Sequence, residues 1–235
     1  EWELENFIIP KEKIEEYFIT IILTKYNATH TLHLMPAKKN IALFVSNQSH
    51  CFLDILSRFE SKEWKINISC VISNHERFRN YADRFEIPFH YFPINRENKE
   101  EMEAEEIKLL KMYKVDLIIL ARYMQILSDD FCGHYPNQII NIHHSSLPAF
   151  AGARPYESAH RRGVKFIGAT AHYVTKELDE GPIITQDVIP ISHRDSIRDM
   201  KRKGRNIEKI VLANACWAHL NHQVLSYKNK TVVFD

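Results

Sequence analysis

From residue 40 onward, short apolar runs alternate with longer stretches in which apolar residues recur every three or four positions. Ile41–Val45, Ile66–Ile72, Pro88–Phe92 and Val115–Leu120 have the length and composition of strands, and helical spacing fills 48–60, 75–85 and 97–113. In the last of these helices Met102, Leu109, Leu110 and Tyr113 share a face. Glu100, Glu101, Glu103, Glu105 and Glu106 load its start and Lys108, Lys111 and Lys114 its end, the charge order that a helix dipole favours. Farther on, Ile139–Ile142 reads as a strand, 154–162 as a short helix, and 166–174 and 182–190 as two longer strands. A helical C-terminal segment spans roughly 195–226, interrupted near Gly204. Strand and helix in regular alternation predict an α/β fold, a mostly parallel sheet flanked by helices.

The first 38 residues follow a different pattern. Residues 2–9 alternate as a strand, Pro10 opens a helix to about Tyr26 with Ile14, Phe18 and Ile21 on one face, and Thr29–Met35 alternates again. Strand, helix and strand make about half of a small α+β module. The connector 36–40 separates it from the α/β region.

Composition excludes several classes. At 235 residues and 45% hydrophobic content the chain can bury a sizeable core. A net charge of +1 gives no general pull toward nucleic acid or anionic membrane, and no apolar run is long enough to span a bilayer or act as a signal peptide. Four scattered cysteines without a CxxC pair point to free thiols in a reducing cytoplasm. All six glycines lie after residue 132, so the first half holds no glycine-rich phosphate loop.

The chemistry-bearing stretch is QIINIHHSSLPAF, 138–150. In open α/β sheets ligands lie beyond the carboxyl ends of the strands, where Asn141 and His143 fall on one face of the same strand. A second candidate is Asp179 in LDEGPII, a carboxylate on a turn that either stabilises the turn or serves the site. An imidazole beside a carboxylate can move a proton from water, and an amide N–H can receive an oxyanion, so Asn141, His143 and Asp179 together suit acyl chemistry. His172 in GATAHYV either assists them or bonds to backbone as a buried histidine. His143, His144, His160, His172 and Asp179 lack metal-site spacing, and adjacent strand histidines diverge, so no metal is expected. ILARYMQIL, 119–127, is explained by core packing or by a pocket for a flat heterocycle. The basic run Lys201-Arg202-Lys203-Gly204-Arg205 reads as a solvated helix face.

From residue 39 on, NIHHSSLPAFAGARPY, GATAHYVTKELDEGPIITQDVI, ARYMQIL and GRNIEKIVL resemble the formyltetrahydrofolate deformylases, within the folate-dependent formyltransferase-like superfamily. The superfamily's transferases usually read NIHPS, whereas His144 replaces that proline here. The resemblance implies a Rossmann-like formyltransferase domain over 39–235, preceded by part of an ACT-like regulatory segment over 1–38. It implies metal-free and cofactor-free hydrolysis of 10-formyltetrahydrofolate, with Asn141, His143 and Asp179 as catalytic positions and His172 assisting. Arg122, Met124, Gln125, Ile126 and Leu127 fall in the loop that borders the pterin, and Lys176, Glu177 and Leu178 in the loop facing it. The sequence departs from the family at Ser146, where a larger residue is common, and at Gln125, where arginine is common. Association between copies is expected from the same resemblance. The rival readings are a transferase that gives the formyl group to an amine on a nucleotide, sugar or tRNA, and a non-catalytic folate-binding protein.

Overall fold

The computed structural model describes residues 8–26, 32, 38–148 and 155–234. The chain forms two compact units, Glu1–Ala37 and Lys38–Asp235. In the first, residues 11–26 are helical in pieces: a 3-10 turn, α1 (Ile14–Phe18), a π segment and α2 (Thr24–Tyr26). Ile14 is buried, Phe18 is half-buried and Ile21 is exposed. The two expected strands of this region, and with them the ACT-like arrangement, lie essentially outside the described residues.

The second unit is built on a seven-stranded sheet in the order β3-β2-β1-β4-β5-β6-β7. Its strands are β1 (Lys39–Val45), β2 (Ile66–Ser73), β3 (Phe89–Tyr91), β4 (Leu117–Ala121), β5 (Ile139–His143), β6 (Phe166–Tyr173) and β7 (Ile183–Pro190). The first five are parallel, and β6 and β7 run antiparallel at one edge. The helices are α3 (His50–Glu60), α4 (Arg79–Arg84), α5 (Lys99–Met112), α6 (Asp129–His134), α7 (Pro155–Arg162) and α8 (Ile197–Leu220).

Central parallel strands are apolar at every position because helices cover both sheet faces. Ile41, Leu43 and Val45 of β1 point into a core shared with Phe52, Ile55 and Leu56 of α3 and Val211 and Leu212 of α8. Ala42 and Phe44 point the other way, against Ile107 and Leu110 of α5 and Phe131 of α6. Each such fully buried large side chain contributes about 1.5–3 kcal/mol. Among the described residues no helix is long and apolar enough to cross a membrane.

Two expectations about the C-terminal helix are corrected by the structure. The C-terminal helix runs unbroken through Gly204, opened by a capping box of Ser196 and Asp199. A Cβ at 204 would lie 2.0 Å from the Tyr156 hydroxyl, so close packing against α7 explains the glycine. That helix stops at Leu220, and 224–233 form a hairpin of β8 (Val224–Tyr227) and β9 (Lys230–Val233) around Lys228, whose φ is +54°. In α5 the acidic first turn holds Glu100 and Glu101 and the last turn Lys111, in the expected charge order, while Glu103 and Glu106 are buried.

Candidate active site

The strand order 3-2-1-4-5 reverses direction between β1 and β4, and such a switch opens a crevice beyond the carboxyl ends of the strands. Three segments meet there. β4 ends at Ala121 and the chain turns at Arg122, whose left-handed φ of +64° redirects it into 123–127. β5 delivers Asn141 and, at its last residue, His143. β6 pairs antiparallel with β5 in a register that sets His172 opposite Asn141. The connection from β6 to β7 then brings Asp179 back over both. A Cβ at Gly181 would lie 1.8 Å from the Tyr173 carbonyl oxygen, so only glycine lets this connection hug the end of β6. Asp179 itself has a φ of +57°, a conformation that Asp and Asn tolerate better than other side chains.

These segments enclose a cavity of about 280 Å³. Arg122, Met124, Gln125, Ile126 and Leu127 line one side, Lys176 and Leu178 another, and Asn141, His143, His144, His172 and Asp179 the floor. Glu177 is the one expected site residue outside this lining: its side chain is exposed, and its carbonyl accepts from the Thr175 hydroxyl. Met124, Ile126 and Leu178 are 57–60% exposed around the mouth, an apolar rim of the kind that receives a flat ligand.

The polar floor has a defined hydrogen-bond order. His143 Nδ1 lies 3.1 Å from Asp179 Oδ2, and His172 Nε2 lies 3.5 Å from Oδ1. The hydrogen bond from His143 holds the Asp179 carboxyl well below the usual range, so it is ionised at neutral pH. His143 Nε2 is buried and meets no partner among the described residues. His172 Nδ1–H donates to the Tyr173 carbonyl at 2.9 Å. With that proton on Nδ1, Nε2 accepts from Asn141 Nδ2 at 3.2 Å, which fixes the orientation of the amide and leaves its second N–H uncommitted among the described residues. His172 is thus bonded to backbone and also in contact with Asn141.

His144 departs from the expected divergence. The strand ends at His143, so the ring of His144 packs beside that of His143, with centroids 5.1 Å apart, and also against Tyr156. Burial first, then the nearby Arg122 and His143, push its pKa down to about 4, so it is neutral at pH 7. His160 is exposed on α7 and does not join the cluster. The strand-end loop after His144 is pinned through Thr170, whose hydroxyl donates to the Ser145 carbonyl and accepts from Leu147 N–H.

Sequence reasoning missed Glu208. This buried carboxylate of α8 accepts from the Tyr156 hydroxyl at Oε1 (2.8 Å) and from His50 Nε2 at Oε2 (2.8 Å). Arg122 Nε lies 3.4 Å from Oε2. Burial alone would raise the Glu208 pKa, but His50 and Arg122 outweigh it and the group stays ionised. His50, Cys51 and Glu208 bring ligand-type atoms within 4.8 Å of one another. Both oxygens of Glu208 are already used, and burial followed by Glu208 pushes the Cys51 thiol well up, so a hydrogen-bonded hub accounts for the cluster.

The formyl transferase family model matches residues 39–216. The chain is 51% identical over 234 residues to the formyltetrahydrofolate deformylase of a Synechocystis species, covering 100% of this chain and 82% of the relative. This chain belongs to the formyltetrahydrofolate deformylase family. It is also 47% identical to the Bacillus subtilis deformylase over 225 residues, 96% of this chain and 75% of that one. The solved deformylase of Pseudomonas syringae pv. tomato superimposes with a TM-score of 0.92 at 47% identity, covering 97% of this chain and 76% of that one. A glycinamide ribonucleotide transformylase from Symbiobacterium toebii shares the fold at 26% identity, with a TM-score of 0.80 over 88% of this chain and 99% of that one.

Proposed function

We propose that this enzyme hydrolyses 10-formyltetrahydrofolate to tetrahydrofolate and formate, with water as the formyl acceptor. The observation that carries the reading is the state of His143, tied to an ionised carboxylate through Nδ1 while Nε2 is buried without a partner among the described residues. With Nδ1–H donated to Asp179, Nε2 keeps its lone pair for a reacting water. That water gives a proton to Nε2 as its oxygen bonds to the formyl carbon, and Asp179 steadies the imidazolium that forms. The formyl oxygen becomes anionic and receives the free N–H of Asn141. His172, bonded to the same amide, holds it in place. Collapse of the intermediate breaks the bond between carbon and N10 as His143 returns its proton to N10.

Every proton and every developing charge is served by these side chains, so the reading assigns no step to a metal or an organic cofactor. The cavity sides formed by 122–127 and 176–178 suit a pterin ring between apolar groups and backbone. Four buried free cysteines suit a reducing cytoplasm. The same fold also serves transferases, so the acceptor is the point to test. Formate should appear one for one with tetrahydrofolate without any added amine, and saturating glycinamide ribonucleotide should neither speed the reaction nor become formylated. Formylated nucleotide at a rate rivalling formate would overturn the reading.

A further inference from the structure

We propose that Arg122, held by the Glu208 hub, is the specificity-determining residue that bars amines from the formyl carbon and reserves that place for water. The inference rests on the hydrolase reading above. At the cavity, Arg122 on one side and His144 on the floor make the wall toward the Glu208 hub, Arg122 through its ion pair and His144 through its ring against Tyr156. Behind that wall lie the turn after β1 and the helix α8. Neither Ser46–Cys51 nor Glu208 lines the cavity.

The turn is sealed by its own hydrogen bonds. The Ser46 hydroxyl donates to Asn74 Oδ1 (2.5 Å) and accepts from Met124 N–H (3.1 Å), so the site loop is stitched directly to it. An amine acceptor entering this side needs an open path and a group to take its N–H. Glu208 is the carboxylate behind the wall: Tyr156 donates to one of its oxygens, His50 to the other, and Arg122 is ion-paired beside the second. The guanidinium also repels the ammonium form in which most aliphatic amines arrive. Water is small and neutral and meets no such barrier. Two features of the fold also serve this hub. Arg122 holds a left-handed backbone unusual for a long side chain, and Gly204 leaves room for the Tyr156 hydroxyl.

The test offers glycinamide, a minimal amine, together with 10-formyltetrahydrofolate and measures formylglycinamide against formate. In the transfer the amine nitrogen bonds to the formyl carbon, the bond from carbon to N10 breaks, and the proton lost by the amine ends on N10. Arg122→Gly suits the backbone at that position, and adding Tyr156→Phe frees Oε1 of Glu208 to receive the amine. Both should raise the ratio of formylglycinamide to formate at least about tenfold over the unmodified enzyme, equal to ~1.4 kcal/mol of relative barrier. Arg122→Lys keeps a cation and should leave the ratio unmoved. Arg122→Gln preserves bulk and should give an intermediate rise even if the glycine variants fold poorly. A merely structural role would lower total tetrahydrofolate release at a constant ratio. An unmoved ratio in folded Arg122→Gly, Arg122→Gln and the double variant overturns the inference. Absence of formate from the unmodified enzyme would instead overturn the hydrolase reading on which it rests.

Discussion

Replacing Asp179 by Asn separates charge from shape in this site. The residue sits at φ +57°, which Asn tolerates as well as Asp, and its side chain is only partly buried, so the fold should survive the change. The chemistry should not. Oδ2 lies 3.1 Å from His143 Nδ1, and in the proposed mechanism the ionised carboxylate both selects the Nδ1–H tautomer and stabilises the imidazolium. An amide placed there either turns its N–H toward Nδ1, forcing the proton onto Nε2, or turns its oxygen and loses the charge. In the first case the base is absent, and in the second it is weaker. Loss of a carboxylate that orients a catalytic imidazole costs about 10⁴ in kcat, and loss of positioned acid–base help about 10²–10⁴. We therefore expect Asp179→Asn to lower kcat by about 10³–10⁴, ~4–5.5 kcal/mol of barrier. KM should move no more than a few-fold. Single-turnover formate release, with folate binding followed by fluorescence, measures both. A variant within tenfold of the unmodified kcat would remove Asp179 from the mechanism.

Three further outcomes follow from the same geometry. Asn141→Ala should lower kcat by roughly 10²–10³ with little change in KM, because one oxyanion donor is lost; a change confined to KM would make Asn141 a positioning residue. Glu106 is pushed up to about 8 by burial and then by Glu103, so between pH 4.5 and 8 the folded chain holds a proton that the unfolded chain releases, and this group lowers stability as pH rises. Glu106→Gln should accordingly be near neutral at pH 5 and stabilise by about 1–3 kcal/mol at pH 8.5 in urea melts; an equal effect at both pH values would refute the burial argument. Gly204→Ala should destabilise by about 1–3 kcal/mol although alanine is the better helix former, because its Cβ would strike the Tyr156 hydroxyl; a more stable variant in the same melts would show that α7 can yield.

The sheet was readable in sequence because its central strands are buried on both faces and appear as short continuous apolar runs. Asn141, His143 and Asp179 were readable from their types and from positions at strand and turn ends. The Glu208 hub was not, since His50, Arg122, Tyr156 and Glu208 come from four elements and span 158 residues, with no spacing to mark them. The basic run held the same lesson: Lys201 pairs with Glu157 and Lys203 with Asp195, while Gly204 after them is buried. In α5 the buried face is Glu103, Glu106, Ile107 and Leu110, a clean i, i+3, i+4, i+7 series. Reading the glutamates as helix-dipole charges hid that series, and only the packing of Tyr123 and Ser128 onto them shows why two acids are there. The hairpin after α8 was lost because two four-residue strands carry too little alternation to stand against a long helical pattern.

Water as the formyl acceptor is tested most directly by running a single turnover of carbonyl-labelled 10-formyltetrahydrofolate in ¹⁸O-water, with no amine present. The account predicts one solvent oxygen in each formate, formed in step with tetrahydrofolate. Tetrahydrofolate that appears only when an amine is supplied, or formate that carries no solvent oxygen, would contradict it.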